Sequence, residues 1–400
     1  MKRLLFIVYF FPLIMFSQGW NQLGQDIDGE AIYDQSGCSV SFSSNGSIVG
    51  VGAFGNNGNG SNTGHVRIYS FNGSSWVQLG DDINGEASND YSGGSVSLSD
   101  DGSIVAIGAS ENDGNGSNSG HVRVYQFDGI SWAQIGQDID GEASDDKSGC
   151  SVSLSSDGSI VAIGAYGNAE NGVYSGNVSV YYYDNNSWIQ LGNDIDGEDS
   201  GDQNGYSVSL SADGFTLAVG AYGNDGNGSN SGHVRIFSFD GNSWAQLGND
   251  IDGEASYDYS GISVSLSFDG STVAIGAYGN DGNSIDAGHV RIFNFNGTSW
   301  NQLGNNIEGE ASNDYSGEYV SLSSDGSTVA IGAINNNGNG SMSGHVRIYT
   351  MQFTAILSAP TIEKNVIAIT DMLGRETKIT NQPLLYLYDD GTVEKKIVVE

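Results

Sequence analysis

Six tryptophans, Trp20, Trp76, Trp132, Trp188, Trp244 and Trp300, follow one another at a fixed interval of 56 residues, with no insertion or deletion between copies. A chain tied to so strict a period builds one unit repeatedly, and each unit must bury its apolar face on its neighbours. In the second copy, Gly93 to Gly108 reads GGSVSLSDDGSIVAIG, with relatives beginning at Gly37, Gly149, Gly205, Gly261 and Gly317. Val and Leu alternate with Ser, the chain turns at Asp101-Gly102, and Val and Ile then alternate with Ala and Gly. That pattern predicts a tight hairpin of two strands.

Each unit supplies two further runs. Trp76 to Ile83 (WVQLGDDI) predicts one continuous strand, and His121 to Phe127 (HVRVYQF) another. Four antiparallel strands at a regular period are the sequence pattern of a propeller blade. Side-chain size supports a closed ring, because Ser, Ala and Gly fill the hairpin while Tyr, Phe and Trp fill the later strands. Blades converge at an axis and diverge outside it, so small residues belong inside. The repeats open on a Trp strand at Trp20 and stop after the strand ending near Tyr349. The Trp20 strand is therefore expected to complete the sixth blade and close the ring, covering two sheet edges. The expectation is an all-β, six-bladed propeller over residues 18–355, with a short β appendage at 356–400.

Composition agrees with this. The chain has 60 Gly and only 3 Pro, none of them between Trp20 and Ala359, so turns are plentiful and ladders keep their donors. The formal net charge is −35, and between residues 20 and 355 only Arg67, Arg123, Lys147, Arg235, Arg291 and Arg347 oppose the carboxylates. Such a surface repels nucleic acid and anionic lipid and favours cations. Cys38 and Cys150 share a repeat position on non-adjacent units, where a disulfide is not expected.

At the N-terminus, Lys2 and Arg3 precede an apolar run from Leu4 to Phe16. It is too short for a comfortable membrane span and reads as a secretory signal over residues 1–17, with cleavage before Gln18. Beyond Pro360 the composition gains Lys and loses Gly. The last stretch, PLLYLYDDGTVEKKIVVE from Pro383, predicts a hairpin about Asp390-Gly391.

The repeat GxSVSLSxDGSxVAIGA followed by GHVRIY resembles the FG-GAP-type repeats of bacterial surface proteins, related to the propeller of integrin α subunits. That resemblance implies an adhesive propeller. The family's calcium loop is reduced here to SDDGS (Ser99 to Ser103) and its copies, so a cation is expected on the opposite face. The tail, through DMLGRE (Asp371 to Glu376) and the DDGTVEKKIVVE ending, resembles C-terminal sorting signals of the type IX secretion system of Bacteroidota. It implies passage to the cell surface and contact with secretion machinery.

Two loop sets should share one face of the ring: DIDGEASDDKSG (Asp138 to Gly149) with its copies, and YGNDGNGSNSG (Tyr222 to Gly232) with its copies. Alternation in DIDGE points two Asp the same way, so Asp138, Asp140 and Glu142 are candidate Ca²⁺ ligands. So are Asp82, Glu86, Asp194, Asp196, Glu198, Asp250, Asp252 and Glu254; the alternative is a solvated acidic rim. His65, His121, His233, His289 and His345 all precede an Arg by two residues. Spread around a disc, they cannot meet on one ion, and a structural partnership with acidic loops is expected. The third unit departs from the pattern with Asn177 and Ser179, then Tyr181, Tyr182 and Tyr183, with Lys147 just before; Lys147, Tyr181, Tyr182 and Tyr183 are candidate ligand contacts.

No GxSxG elbow or Cys-His pairing occurs, and acidic pairs recur in every unit where an enzyme needs one differentiated site. The expectation is an exported, non-enzymatic module that binds a carbohydrate, a matrix component or a surface protein. A secreted polysaccharide hydrolase or lyase, and a structural surface protein without a discrete ligand, are the alternatives.

Overall fold

A computed structural model describes residues 22–351 and three later strands, 366–370, 383–388 and 393–397. The signal segment, Trp20, Pro360, DMLGRE and the Asp390-Gly391 turn lie outside the described residues. Residues 1–350 and 351–400 form two separate compact units. Among the described residues no helix is long and apolar enough to cross a membrane.

The first unit is a six-bladed propeller of antiparallel sheets. Blade two shows the plan: Ser95–Leu98 innermost, then Ile104–Ala109, His121–Phe127 and Trp132–Gln134. Ser95 pairs with Gly108, Ala109 with His121, and Phe127 with Trp132. The inner hairpin is made as its sequence demands. Gly102 turns at φ 71°, while Asp101 Oδ1 accepts bonds from the Ser103 amide and the Ser99 hydroxyl. Gly108 has to be Gly, since a Cβ there would lie 2.0 Å from the Gly149 carbonyl of the next blade. Blades thus meet backbone to backbone near the axis.

The outer strand is where the expectation fails. Trp76 to Ile83 is not continuous: Trp76–Gln78 and Ile83–Asn84 pair separately with His65–Phe71. Gly80, at φ 68°, turns the chain out between them. The Leu79 amide still donates to Ile68, so the ladder breaks only across Gly80 to Asp82. Every blade from one to five repeats this break. It places the DIDGE carboxylates in line with the histidines, because Asp140 pairs with His121 and Asp252 with His233.

Neighbouring blades interlock. Val66, Ile68 and Ile83 of blade one pack on Leu98, Val105, Ile107 and Tyr125 of blade two, and similar clusters fill the following seams. Main-chain bonds also run from blade to blade. The amide of Asp100 donates to Ser156, Ser156 to Ala212, Ala212 to Phe268 and Phe268 to Ser324, forming a hoop through successive turns. Ser97 Oγ accepts the amide of Leu154 in the same manner.

The seam between blades six and one is different. Residues 22–30 lie on blade one, with Ile27 against Val49 and Val51, and Leu23 accepting the Trp76 indole at 2.8 Å. Among the described residues they form no ladder with His345–Thr350, the outermost strand of blade six. Val346 is 66% exposed, whereas its counterpart Val122 is fully buried. In the second unit, Pro383–Tyr388 is the middle strand between Val366–Thr370 and Val393–Ile397, so the C-terminal hairpin forms as its sequence predicts.

Candidate functional site

The blades converge on an axial cavity of about 740 Å³. Its wall takes Cys38, Gly94, Cys150, Tyr206, Ile262 and Glu318, one residue from the start of each inner strand. From Tyr166 and Tyr206 of this wall, aromatic rings run from blade to blade. Tyr166 lies 5.6 Å from Tyr206, Tyr206 is 4.5 Å from Tyr222, and Tyr222 is 6.0 Å from Tyr259. Tyr259 stacks on Tyr278 at 5.0 Å, and Tyr278 meets Tyr315 edge-on at 5.3 Å. Across the mouth, Phe54 and Tyr91 form another edge-on pair at 5.8 Å.

The backbone pays for this arrangement with strain. Tyr91, Lys147, Gln203, Tyr259 and Tyr315 share one repeat column, and each holds a left-handed φ of 53° to 59°. Such a conformation is uncommon for bulky residues, and strain of this kind gathers at functional sites. Burial raises the phenols of Tyr206 and Tyr278 and takes Tyr166 up to about 12, so all three stay protonated donors. Tyr222 donates to the Gln203 side chain. Lys147 pairs with Glu111 at 2.7 Å, and burial raises the carboxyl of Glu318. Cys38 and Cys150 are free, and burial takes the Cys150 thiol up to about 11, which leaves it a poor nucleophile.

The four ligand candidates from the sequence do not form one patch. Lys147 reaches the axial cavity region through Glu111. Tyr182 and Tyr183 line a separate apolar groove of about 570 Å³, with Phe215 and Phe239, at the outer junction of blades three and four. Tyr181 belongs to a third place, a small recess with Glu142, Asp146 and Ser179. The aromatic mouth was missed because its residues are scattered over two loop columns and no single run of sequence carries them. Reading the repeats vertically would have found it: Tyr166, Tyr222 and Tyr278 stand at the same position of successive units.

The loop face holds the carboxylates, divided by role. Asp34, Asp90, Asp146, Asp202, Asp258 and Asp314 are buried. Asp90, for example, accepts the Ala87 amide and the Asn112 side chain, tying one blade's linker to the next blade's loop. These six are fasteners. The DIDGE residues lie outside them, and the structure sorts them differently from the sequence reading. Asp138 and Asp140 both face His121, each at 4.0 Å, while Glu142 is carried to the next blade among Asp194 and Asp196.

His65, His121 and His233 thus each meet a Glu from the linker before and an Asp from the linker after. Glu30, His65 and Asp82 form one such group, Glu86, His121 and Asp138 a second, and Glu198, His233 and Asp250 a third; each could hold a metal ion. Glu254 lies 3.7 Å from His289. Asp252 lines a recess with His233 and Asp250. Desolvation lowers His65 and His233, and takes His121 to about 4 and His289 to about 3, so these rings are neutral near pH 7. Burial, with Asp138 second, raises Asp140; burial, with Asp194 second, raises Asp196.

The Arg two residues on spans the seam. Arg123 donates to the Asn84 carbonyl at 3.0 Å, pairs with Glu86 at 3.2 Å and covers the Tyr125 ring. In blade three Ser179 takes this position and donates to Asp194 at 2.5 Å. Glu142 has no guanidinium beside it there, and burial followed by Asp194 raises its carboxyl.

Residues 84–125 and 195–237 match the FG-GAP repeat family. Each match runs from the last short strand of one blade through the third strand of the next. No curated protein sequence matches the chain. Among solved structures, the periplasmic gluconolactonase PpgL of Pseudomonas aeruginosa is 16% identical with a TM-score of 0.50, over 78% of this chain and 81% of that one. Hydrazine synthase of Kuenenia stuttgartiensis is 13% identical with a TM-score of 0.46, over 78% and 83%. At such identity the likeness to PpgL speaks to the propeller fold alone.

Proposed function

We propose that this chain is an exported, non-enzymatic binding module whose axial mouth takes a carbohydrate. The observation that carries the reading is the run of six tyrosines from Tyr166 to Tyr315, which starts at Tyr166 and Tyr206 on the wall of a cavity of about 740 Å³. Small-ligand cavities run to roughly 300–1,000 Å³ and combine apolar walls with a few placed polar groups. Tyrosine suits a sugar because its ring face covers the C–H side of a pyranose while its hydroxyl meets the ring hydroxyls. Glu111, paired with Lys147, and the serines Ser110, Ser151 and Ser207 supply the polar groups. Export rests on the apolar run Leu4 to Phe16 after Lys2 and Arg3, and surface display on the tail's resemblance to type IX sorting signals. A matrix or surface glycoprotein presenting the sugar is the partner this predicts. In this reading the acidic loops shape the potential around the mouth, and calcium ordering them is one form it can take.

A second reading, a polysaccharide hydrolase, is favoured by one observation: Glu318, with its raised carboxyl, lines the same cavity as Glu111. A pair of carboxyl groups is what acid-assisted glycosidic cleavage uses. Screening the full chain on a glycan array, with a reducing-end assay on every hit, tests both. Binding without product, weakened at least tenfold by Tyr206→Ala, supports the binding module. Product formation abolished by Glu318→Gln replaces it with the hydrolase, and the absence of any binding overturns both.

A further inference from the structure

His65, His121 and His233 are each only 1% exposed, and none has a partner at Nε2. Nor does Nδ1 make a bond where its neighbours are known. That of His65 stops 3.8 Å from Asp82 and 4.0 Å from Glu30, and that of His121 stops 4.0 Å from Asp138 and Asp140. These gaps exceed hydrogen-bond length. Buried imidazoles therefore face carboxylates across a space that no donor fills.

The facing Asp is held in place. Gln78, Gln134 and Gln246 donate to Oδ1 of Asp82, Asp138 and Asp250 at 2.7, 2.6 and 2.5 Å. In blades one and two Oδ2 is the atom turned to the His. Blade five shows what belongs in the space. There Asn306 replaces the Asp, and Gln302 holds its Oδ1 at 2.8 Å in the same way. Its Nδ2 donates to Glu254 Oε2 at 2.9 Å and lies 3.4 Å from His289 Nδ1. One positive-ended group bridges the Glu and the imidazole. Blades one, two and four put an acceptor where that donor stands.

We propose that Glu30–His65–Asp82, Glu86–His121–Asp138 and Glu198–His233–Asp250 are three separate sites for a divalent transition metal, zinc foremost, each ion taking the bridging position that the Asn306 amide takes in blade five. In each group the ligand atoms lie within 4.8 Å of one another. Zinc at roughly 2.0–2.2 Å from each needs them about 3.4 Å apart. Glu30, Glu86 and Glu198 are nearly half exposed, and their rotation supplies most of the closure. A buried imidazole nitrogen favours zinc and its neighbours over calcium, which takes roughly six to eight oxygens. At blade four the group opens into a recess of about 370 Å³, with room for water to complete the coordination. Each site is anchored by the His that opens a third strand and stands apart from the carbohydrate reading.

The test is to strip the full-length protein of metal, titrate it with Zn²⁺ and count bound ions by native mass spectrometry, with Co²⁺ absorption as a reporter of nitrogen ligation. Three ions per chain are expected, two in Asp138→Asn, and none in the combined variant Asp82→Asn, Asp138→Asn, Asp250→Asn. Each change copies a residue the fold already carries in blade five, and thermal melts of the metal-free forms check folding. Asn306→Asp is expected to raise the count to four, which loss of folding cannot imitate. An unchanged count in the combined variant, or in Asn306→Asp, overturns the proposal, as does displacement of Zn²⁺ by an equal concentration of Ca²⁺.

Discussion

Blade three and blade four are built on the same 56-residue template, yet their third strands solve the acidic loop face in opposite ways. In blade four Arg235 donates to the Asp196 carbonyl at 2.6 Å and to Asn204 at 3.0 Å, stands 3.5 Å from Glu198 and covers the Phe237 ring. Blade three has Ser179 in the equivalent place, and its single bond goes to Asp194. The guanidinium is mostly buried while Glu198 is half exposed. Its carbonyl and amide bonds therefore matter more to stability than the ion pair, because solvent screens the latter. The lesson is that Arg serves chiefly as a donor stitching two blades, and that its loss in blade three transfers the cost to the carboxylates.

The largest test of that contrast is Arg235→Ala against Ser179→Ala. Removing Arg235 leaves buried acceptors unpaired and is expected to cost about 2–4 kcal/mol. Ser179→Ala should cost under about 1 kcal/mol. Urea midpoints measure both, and equal losses would remove the distinction.

Next in size is the pH dependence, where the two kinds of blade have opposite signs. His289 falls from 6.5 to about 3 on folding, so the folded state binds fewer protons. Its contribution is complete above pH 6.5 and drains away as pH falls toward 3. Glu142 is raised on folding, so its contribution is complete below its ordinary value of 4.5 and is lost as pH rises through the raised one. Comparing stability from pH 3 to 8 in metal-free His289→Gln and Glu142→Gln should show acid sensitivity reduced in the first. In the second, the decline on the alkaline side of pH 4.5 should be reduced.

A smaller effect sharpens the same point. Ser179→Arg supplies blade three with the missing donor, and the Glu142 carboxyl, followed by carbon-13 NMR, should titrate nearer its ordinary range. An unmoved titration would mean that burial alone sets it. The smallest effect lies at the outer groove, where Tyr182→Ala removes a partly buried ring and should cost about 1 kcal/mol. A larger loss would make that groove part of the core.

Much of the fold was legible because the repeat fixes both pattern and phase. Strict alternation in SVSL and VAIGA with Gly at the turn leaves few other structures, and six copies average out local drift. The break at Gly80 was not, since a Gly in a polar run can bend a strand or merely loosen it. The site was harder. Glu86, His121 and Asp138 lie far apart along the chain, and only the pairing of His121 with Asp140, with Glu86 arriving from the preceding linker, brings them together. Spacing within DIDGE pointed to Asp138 and Glu142 as partners, but the linker carries Glu142 past the seam to the next blade.

The hoop of main-chain bonds from Asp100 through Ser156, Ala212 and Phe268 to Ser324 advances by one full repeat at every step. It works as a gauge of length. An extra residue in the inner hairpin of blade three, four or five would put that turn out of step with the turns on both sides, breaking two joints at once. Length is therefore frozen in the hairpins and free only in the outward loops. Such a ring can change size by whole 56-residue units, and by nothing smaller.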